Sequence, residues 1–311
     1  MTDHPSIAIA PEPARNSWLA DAVEAGGGTV VDPADATGLV WAIPKHPERL
    51  GTLLAEHPDI EWVQLPFAGI ETFTYLMDDG RTWTCGKGVY ADPVAELALT
   101  LLLAGMRGVG TYARRVSWEK ADANELGHNL IGARVTILGG GGIARSLIRL
   151  LSGFGVTTTA LRRRADDAVP GADRTLGLDR LHGALADADA VVLALAMTPE
   201  TRGIIDAAAL DAMGDHAWLV NVARGPHVVT DDLVDALVDH RIGGAGLDVT
   251  DPEPLPDGHP LWSLPNVIVT PHVGNTPAMA VPLLGARVTK NVRRFAVGDE
   301  LIGLVDPDLG Y

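Results

Sequence analysis

The sequence predicts an α/β protein with parallel sheets, because short apolar stretches of strand type alternate with helical stretches along two consecutive parts of the chain. The first alternating series precedes Pro93, and the second begins at Arg134. A chain of 311 residues favours two domains over one. Apolar residues make up 47% and charged residues 21% of the chain, which is the composition of a folded globular protein.

The first series is expected to form one α/β unit. Its predicted elements are strands at 7–10, 39–43 and 62–65 and helices at 17–25 and 46–56. The glycine triplet 26–28 follows a helix rather than a strand, so it indicates a helix end and not a phosphate-binding loop. A long helix is predicted at 93–106, with Pro93 in its first turn, and a polar stretch without clear periodicity follows at 108–129.

The second series is expected to form one doubly wound domain, since its strands again alternate with helices. The predicted strands are 134–138, 156–161, 190–194, 217–221, 244–249 and 267–269. The predicted helices are 143–152, 178–186, 206–213 and 231–239, with a further helix at 279–296.

Charge and cysteine content argue against several classes of protein. Lys and Arg number 24 and Asp and Glu 40, so the net charge is −16. A surface of this sign disfavours binding to nucleic acid and to anionic membranes, and neither partner is expected. The single cysteine, Cys85, allows no internal disulfide, no secretion signal is visible, and the longest apolar run, 97–104, is too short to span a membrane. The cytoplasm is therefore the expected compartment.

A glycine-rich turn between a predicted strand and a predicted helix carries a dinucleotide-binding pattern. Gly139, Gly141 and Ala144 have the G-x-G-x-x-A spacing directly after strand 134–138. Gly139 permits a tight turn, Gly141 lets the backbone approach a pyrophosphate, and Ala144 lets the helix pack on the strand. The N–H groups at the helix start attract phosphate. This pattern predicts a Rossmann-type domain, with a tight turn that binds nothing as the alternative.

The end of the next predicted strand lacks the acidic residue that binds the adenine ribose of NAD. Arg162, Arg163 and Arg164 stand there instead, and the first acid is Asp166. A guanidinium group matches the oxygens of a 2′-phosphate. The turn therefore predicts NADP as the preferred cofactor and NAD as the second choice, with a solvated basic turn as the structural alternative.

Three chemically competent side chains follow successive predicted strands. Arg224 follows strand 217–221, Glu253 follows strand 244–249, and His272 follows strand 267–269. The carboxyl ends of parallel strands meet at one edge of a sheet, so these side chains are expected to converge. Their chemistry suits reduction of a 2-oxo acid: the Arg binds the carboxylate, the His protonates the forming alkoxide, and the Glu orients the His. No second His or Cys stands at metal-ligand spacing, so no metal is expected.

An ordered set of segments resembles the D-isomer-specific 2-hydroxyacid dehydrogenases along nearly the whole chain. The segments are 65–69, 93–99, the glycine turn, 195–203, 221–225, 248–254, 266–272 and 305–311. The chain departs from the family pattern at Ala196, where Pro is frequent, and at Arg162, where the ribose-binding Asp is usual. The presence of Arg162 in place of that Asp weakens the expectation that NAD is the preferred cofactor.

The resemblance implies roles for individual residues. Arg224, Glu253 and His272 match the catalytic residues of the family, with Arg224 also binding substrate, and Ala68 and Gly69 match a loop whose N–H groups receive the substrate carboxylate. Asp248 matches the acid that contacts the nicotinamide carboxamide. The residues expected to bind the cofactor are Gly139, Gly141, Gly142, Ile143, Ala144, Arg162, Arg163, Thr198, Val222, Ala223 and Asp248.

The resemblance also implies the organisation of the chain. A Rossmann-type domain at 94–278 would be inserted into a smaller flavodoxin-like substrate domain formed by 1–93 and 279–311. A homodimer through the dinucleotide-binding domain is expected, with the helix from Pro93 crossing to the partner. The apolar face of that helix, with Leu97, Leu101 and Ala104, fits an internal core equally well.

The leading functional expectation is an NADP-preferring reductase of a small 2-oxo acid such as glyoxylate or hydroxypyruvate. One alternative is a formate- or phosphite-type dehydrogenase on the same scaffold. The other is a dinucleotide-sensing regulator or co-repressor that kept the fold, since fold alone does not determine function. The presence of Arg224, Glu253 and His272 together favours an enzyme.

Overall fold

The computed structural model describes residues 4–11, 16–77, 80–118 and 127–306. The chain divides into two compact units, one formed by Met1–Tyr90 and Thr276–Tyr311 and the other by Ala91–Asn275. Each unit is built around its own parallel sheet. The predicted motif segment 305–311 lies outside the described residues from position 307 onward.

The first unit contains, within the described residues, a sheet of five parallel strands in the order β2-β1-β3-β4-β5. The strands are β1 Ser6–Ala10, β2 Thr29–Val30, β3 Gly38–Trp41, β4 Trp62–Gln64 and β5 Thr82–Thr84. Helices α1 Ser17–Ala25 and α2 Pro47–Glu56 connect them, and the C-terminal helix Pro277–Val297 packs on α1. The predicted strands and helices are therefore present with ends shifted by up to two residues, whereas the sequence did not predict β2 and β5, which are two and three residues long.

A buried polar cluster joins the C-terminal helix to this sheet. The side chain of Asn291, which is fully buried, donates to Gln64 Oε1 at 2.9 Å, and Thr84 Oγ1 donates to the same oxygen at 2.9 Å. Trp62 Nε1 donates to Thr84 Oγ1 at 2.8 Å. Because each buried polar atom in this chain of bonds has a partner, the cluster specifies where the distant C-terminal segment docks.

The second unit contains, in its described part, a sheet of seven parallel strands in the order β12-β11-β10-β9-β6-β7-β8. The strands are β6 Arg134–Leu138, β7 Thr157–Leu161, β8 Arg174–Leu176, β9 Ala190–Leu193, β10 Trp218–Asn221, β11 Gly244–Leu247 and β12 Val267–Val269. The strand order reverses between β6 and β9. This is the doubly wound arrangement that the sequence predicted, and it opens a crevice at the carboxyl ends of those two strands.

Helices cover both faces of this second sheet. They are α3 Ala91–Met106, α4 Val109–Ala113, α5 Gly142–Leu151, α6 Leu181–Ala186, α7 Ala207–Ala212 and α8 Thr230–Val238. Two expectations need correction: α4 interrupts the stretch expected to lack periodicity, and the predicted helix 178–186 begins with a 3₁₀ turn at Leu178–Arg180. The sequence also missed β8, a three-residue edge strand. Leu101 of α3 is buried in the core of this unit.

An ion-pair network lies at the amino end of the same sheet, away from the crevice. Asp189, just before β9, accepts from Arg134 Nη2 at 2.8 Å and from His216 Nε2 at 3.0 Å. Partial burial acts to raise the pKa of Asp189, but the hydrogen bonds from Arg134 and His216 hold it well below its usual range. The network therefore stabilises the folded unit while this carboxylate is ionised.

None of the helices in the described residues combines the length and apolar character that crossing a membrane requires. Among those residues, no cluster of three or more His, Cys, Asp or Glu is arranged to hold a metal ion.

Candidate active site

The glycine turn lies at the carboxyl end of β6, in the crevice of the second unit. Gly139 has φ +128°, a conformation that L side chains rarely adopt, and a Cβ there would collide with the carbonyl of Ala194. Its N–H donates to the carbonyl oxygen of Leu161 at 2.7 Å. Only glycine fits this position, because both the φ angle and the close approach of Ala194, which follows the neighbouring strand β9, exclude a side chain.

The next positions leave open space at the start of helix α5. A Cβ at Gly141 would meet no atom within 4 Å, and α5 begins immediately afterwards at Gly142 and Ile143 with no acidic residue in its first turn. Ala144 is fully buried, which brings the helix close to the sheet. A helix N-terminus that is open on its outer side and carries no negative charge fits a pyrophosphate group.

The two arginines expected at the cofactor have different surroundings. The side chain of Arg162 is only 16% exposed, and its Nη1 donates to Asp167 Oδ2 at 2.7 Å and to the Asp167 carbonyl at 2.8 Å. Arg163 is exposed, and its charge contributes to a lowered pKa of Glu200, whose largest cause is a hydrogen bond from Thr198. Both arginines follow β7, where an acid would bind a ribose; the charge of Arg162 is paired with Asp167, whereas Arg163 is exposed.

Thr198 lies in the loop that follows β9. Its N–H donates to Thr201 Oγ1 at 2.8 Å, and that hydroxyl in turn donates to the carbonyl of Ala196 at 2.8 Å. The Thr201 side chain therefore links the two ends of the 196–201 loop, which limits the positions that Thr198 can adopt.

Arg224 follows β10 and is held by its neighbours. Asn221 donates to the Arg224 carbonyl at 2.9 Å and accepts the N–H of Ala223 at 3.0 Å. Arg224 Nη1 donates to the Ala223 carbonyl at 2.8 Å. Val222 and Ala223 are buried, and a Cβ at Gly225 would collide with the backbone of Thr250, so the arginine stands on a rigid turn.

His272 and Glu253 meet at the carboxyl edge of the same sheet. His272 Nδ1 lies 2.8 Å from Glu253 Oε1, and the two side chains are 52% and 44% exposed. With Nδ1 donating to the carboxylate, Nε2 is the ring nitrogen left to face a ligand. The sequence expected this pair from the order of strands, and the structure brings the two side chains into contact.

Asp248 is almost completely buried beneath the loop that carries His272. Its Oδ1 accepts from Thr270 Oγ1 at 2.6 Å and from the N–H of Val273 at 2.9 Å, and its Oδ2 accepts the N–H of Gly274 at 2.9 Å. The carboxylate therefore holds the 270–274 loop in shape, which is a contact that sequence reasoning did not foresee.

Ala68 and Gly69 belong to the first unit, in the loop after β4. The preceding part of this loop is anchored by Tyr90, whose hydroxyl donates to the Pro66 carbonyl at 2.7 Å and whose ring lies 5.2 Å from that of Phe67. Ala68 itself is exposed. Ala68 therefore stands exposed on a loop whose base is held in place.

Three residues with evident influence on the site received no role from the sequence. Asn221 and the fully buried His227 bind the backbone of Arg224, and Asp167 binds Arg162. Asn221 lies in the motif segment 221–225, and the only sequence signal for His227 was that it is a polar residue three positions from Arg224. Asp167 follows the arginine run by three positions, but sequence spacing alone does not show that its side chain folds back.

The fold and the site define a dinucleotide-dependent oxidoreductase, and comparisons with known proteins place it more closely. A family model for the NAD-binding domain of D-isomer specific 2-hydroxyacid dehydrogenases matches residues 99–274, which is more than half of the chain. The chain belongs to the D-isomer specific 2-hydroxyacid dehydrogenase family and is an NAD(P)-dependent enzyme of that family.

Relatives cover most of the chain. A glyoxylate/hydroxypyruvate reductase A of Serratia proteamaculans is 31% identical over 294 residues, covering 90% of this chain and 88% of its own. A hydroxyphenylpyruvate reductase of Plectranthus scutellarioides is 34% identical over 304 residues, covering 94% and 89%. The structure of a D-isomer specific 2-hydroxyacid dehydrogenase from Xanthobacter autotrophicus, solved with NADPH and MES, has a TM-score of 0.83 at 27% identity and covers 99% of this chain and 100% of its own.

Proposed function

We propose that this protein is an NADPH-preferring reductase of small 2-oxo acids, of the glyoxylate or hydroxypyruvate type, and that it works in the cytoplasm. The observation that carries the proposal is the contact between His272 and Glu253 at the same sheet edge as Arg224 and the open glycine turn. The Serratia relative bears the name of such a reductase, and the Xanthobacter structure was solved with NADPH.

The residues divide the reaction between them. Arg224 binds the substrate carboxylate and polarises the carbonyl group. NADPH, when bound, would supply the hydride for the carbonyl carbon. His272 donates the proton from Nε2 to the carbonyl oxygen, which completes the 2-hydroxy acid and leaves the imidazole neutral until it takes a proton from solvent. Glu253 accepts from Nδ1 and so fixes the orientation of the ring.

The first unit is proposed to contribute the other contact with substrate. Ala68 and Gly69 present backbone N–H groups suited to a carboxylate, on the loop that Tyr90 anchors. In this proposal the unit formed by Met1–Tyr90 and Thr276–Tyr311 is the substrate domain, and Ala91–Asn275 is the dinucleotide-binding domain.

The preference for NADPH is proposed from the turn after β7. Arg162 and Arg163 occupy the place where an acid would hydrogen-bond the ribose hydroxyls and repel a 2′-phosphate. Asp248, Val222 and Ala223 are proposed to line the nicotinamide side, and Thr198 the phosphate side, of the same cofactor site.

We also propose a homodimer through the second unit. Val116 and Trp118 are almost fully exposed there, which is uncommon for large apolar side chains. A cavity of about 260 Å³ in this unit is lined in part by Tyr112. Within the described residues, Trp218 Nε1 and Asn266 Oδ1 are buried beside this cavity without a hydrogen-bond partner.

The test of the dimer is a mass measurement in solution. Light scattering should give the mass of a dimer, and Trp118→Ala should shift the measured mass toward that of a monomer. A monomeric wild-type protein would contradict the proposed dimer.

The test of the proposed activity is steady-state turnover on a panel. Glyoxylate, hydroxypyruvate and 4-hydroxyphenylpyruvate are each supplied with NADPH and with NADH, and formate and phosphite with NADP⁺ and NAD⁺. The proposal expects the highest kcat/KM for glyoxylate or hydroxypyruvate with NADPH. Turnover of formate or phosphite alone contradicts it, and tight NADPH binding without any turnover indicates a regulator instead.

A further inference from the structure

His227 is a completely buried titratable residue that the proposed reaction does not use. It lies three residues after Arg224, at the end of the 3₁₀ turn Gly225–His227. Its ring bridges two loops: Nδ1 lies 3.2 Å from the backbone nitrogen of Arg224, and Nε2 lies 3.2 Å from the carbonyl oxygen of Ala196. Its own carbonyl accepts the N–H of Ile205 at 3.0 Å, so the backbone beneath the ring is also held.

The partners of the ring select one tautomer. With the proton on Nε2, the ring donates to the Ala196 carbonyl and accepts the Arg224 N–H at Nδ1. Nδ1 also lies 3.0 Å from the Arg224 carbonyl. A proton on Nδ1 would serve that carbonyl but would leave a lone pair of Nε2 facing the oxygen of Ala196. Of the two neutral tautomers, only the first satisfies both ends of the bridge.

The bridge continues through the loop that carries Thr198. The Ala196 carbonyl accepts from Thr201 Oγ1 at 2.8 Å as well as from His227, and that hydroxyl accepts the N–H of Thr198 at 2.8 Å. An unbroken series of hydrogen bonds therefore runs from the backbone of Arg224 to the backbone of Thr198. One end is the proposed substrate arginine, and the other is a proposed cofactor contact.

We propose that His227 is a positioning residue for both the substrate arginine and the cofactor loop. The ring sets the backbone of Arg224 through Nδ1 and the 196–198 loop through Nε2, so one buried side chain holds each loop in its working position by a separate hydrogen bond. This inference rests on the proposed function, because the roles of Arg224 and Thr198 come from there.

Two substitutions of His227 remove the hydrogen bonds of its two ring nitrogens one at a time. In His227→Asn, the side-chain oxygen reaches the place of Nδ1 and still accepts the Arg224 N–H, but the bond to Ala196 is lost. In His227→Gln, the amide nitrogen reaches the place of Nε2 and still donates to Ala196, but the bond to Arg224 is lost. A buried hydrogen bond to the backbone contributes roughly 0.5–1.5 kcal/mol, so each loss should change the affected constant by about two- to twelvefold.

The expected result is a crossed pattern. His227→Asn should raise the Kd of NADPH, measured by fluorescence titration, while the KM of the 2-oxo acid changes little. His227→Gln should raise the KM of the 2-oxo acid and lower kcat, while the Kd of NADPH changes little. Equal changes of both constants in both variants, or lower melting temperatures with unchanged constants, overturn the proposal.

Two further variants keep the test decisive. Thr201→Val cuts the same series of bonds on the cofactor side, so it should raise the Kd of NADPH and combine less than additively with His227→Asn. Additive effects contradict the proposal even if one of the His227 variants folds poorly. His259 is the matched control, because its Nδ1 accepts a nearby N–H, that of Leu261 at 3.3 Å, outside the bridge. Its Asn and Gln variants should show no crossed pattern.

Failure of the proposed function gives a different result. If the wild-type protein reduces no 2-oxo acid, the proposed function falls. The Kd of NADPH in His227→Asn and Thr201→Val still tests whether His227 positions the cofactor loop.

Discussion

Replacing Gly141 by Ala adds one methyl group, which should weaken NADPH binding without changing the stability of the fold. Gly141 has φ −79° and ψ −164°, an extended conformation open to any residue, and a Cβ there would meet no atom within 4 Å. Two small effects on stability oppose each other in Gly141→Ala. Alanine restricts the unfolded chain, which favours folding by about 0.4–1 kcal/mol, but it is a poorer N-cap than glycine by a similar amount. The free energy of unfolding should therefore hardly change.

The effect on NADPH binding should be large. The new methyl group would stand at the open start of α5, where the pyrophosphate has to approach the N–H groups. Losing even one hydrogen bond to a charged phosphate costs roughly 1.5–3 kcal/mol, which raises the Kd of NADPH by about ten- to a hundredfold.

Two other glycines supply the controls for Gly141→Ala. Gly139→Ala meets both a φ of +128° and a collision with the carbonyl of Ala194, so it should destabilise the protein by more than about 1–3 kcal/mol. Gly183→Ala, in α6, meets nothing within 4 Å and should stabilise the helix by roughly 0.5–1 kcal/mol without any effect on NADPH.

The assay combines thermal melting without ligand and fluorescence titration with NADPH. Gly141→Ala should melt near the wild-type temperature and bind NADPH at least about tenfold more weakly. Wild-type affinity in this variant would refute the placement of the pyrophosphate at the glycine turn. A much lower melting temperature would refute the claim that the fold has room for a side chain at position 141.

Four further predictions test other parts of the protein. His272→Ala should lower kcat by about 10²–10⁴-fold with the Kd of NADPH unchanged, and near wild-type turnover would remove the residue from catalysis. Arg224→Lys keeps the charge but loses the bidentate geometry, so the KM of the 2-oxo acid should rise more than the Kd of NADPH; equal losses would indicate a structural role. Replacing Arg162 and Arg163 together by Ala should remove most of the kcat/KM preference for NADPH, roughly tenfold in view of their partial exposure, and spare activity with NADH; a preference that persists would mean a solvated turn. Asp189→Asn should lower the melting temperature at pH 7, because a carboxylate with a depressed pKa stabilises the fold only while ionised, and the difference should shrink as the pH falls below about 4; a constant difference would exclude the carboxylate charge as the cause.

Local pattern was sufficient where a segment's own residues determine its conformation. Helix α1 and strands β6 and β12 have the bounds that the sequence predicts, because a helical period or a continuous apolar run lies within each segment. Strands β2, β5 and β8 are two or three residues long and, unlike β12, contain no run of three apolar residues; they form by pairing with neighbouring strands, which local sequence does not reveal.

The candidate site also has features that the sequence predicts and features that depend on tertiary contacts. The sequence by itself determined the doubly wound class, the family, and the order in which Arg224, Glu253 and His272 follow their strands, because strand order and turn chemistry are written in consecutive residues. Only the tertiary structure decided that Glu253 reaches His272 and that His227 joins two loops. Those contacts join residues 19 and 31 positions apart in the chain, and their geometry depends on sheet register and packing rather than on local sequence.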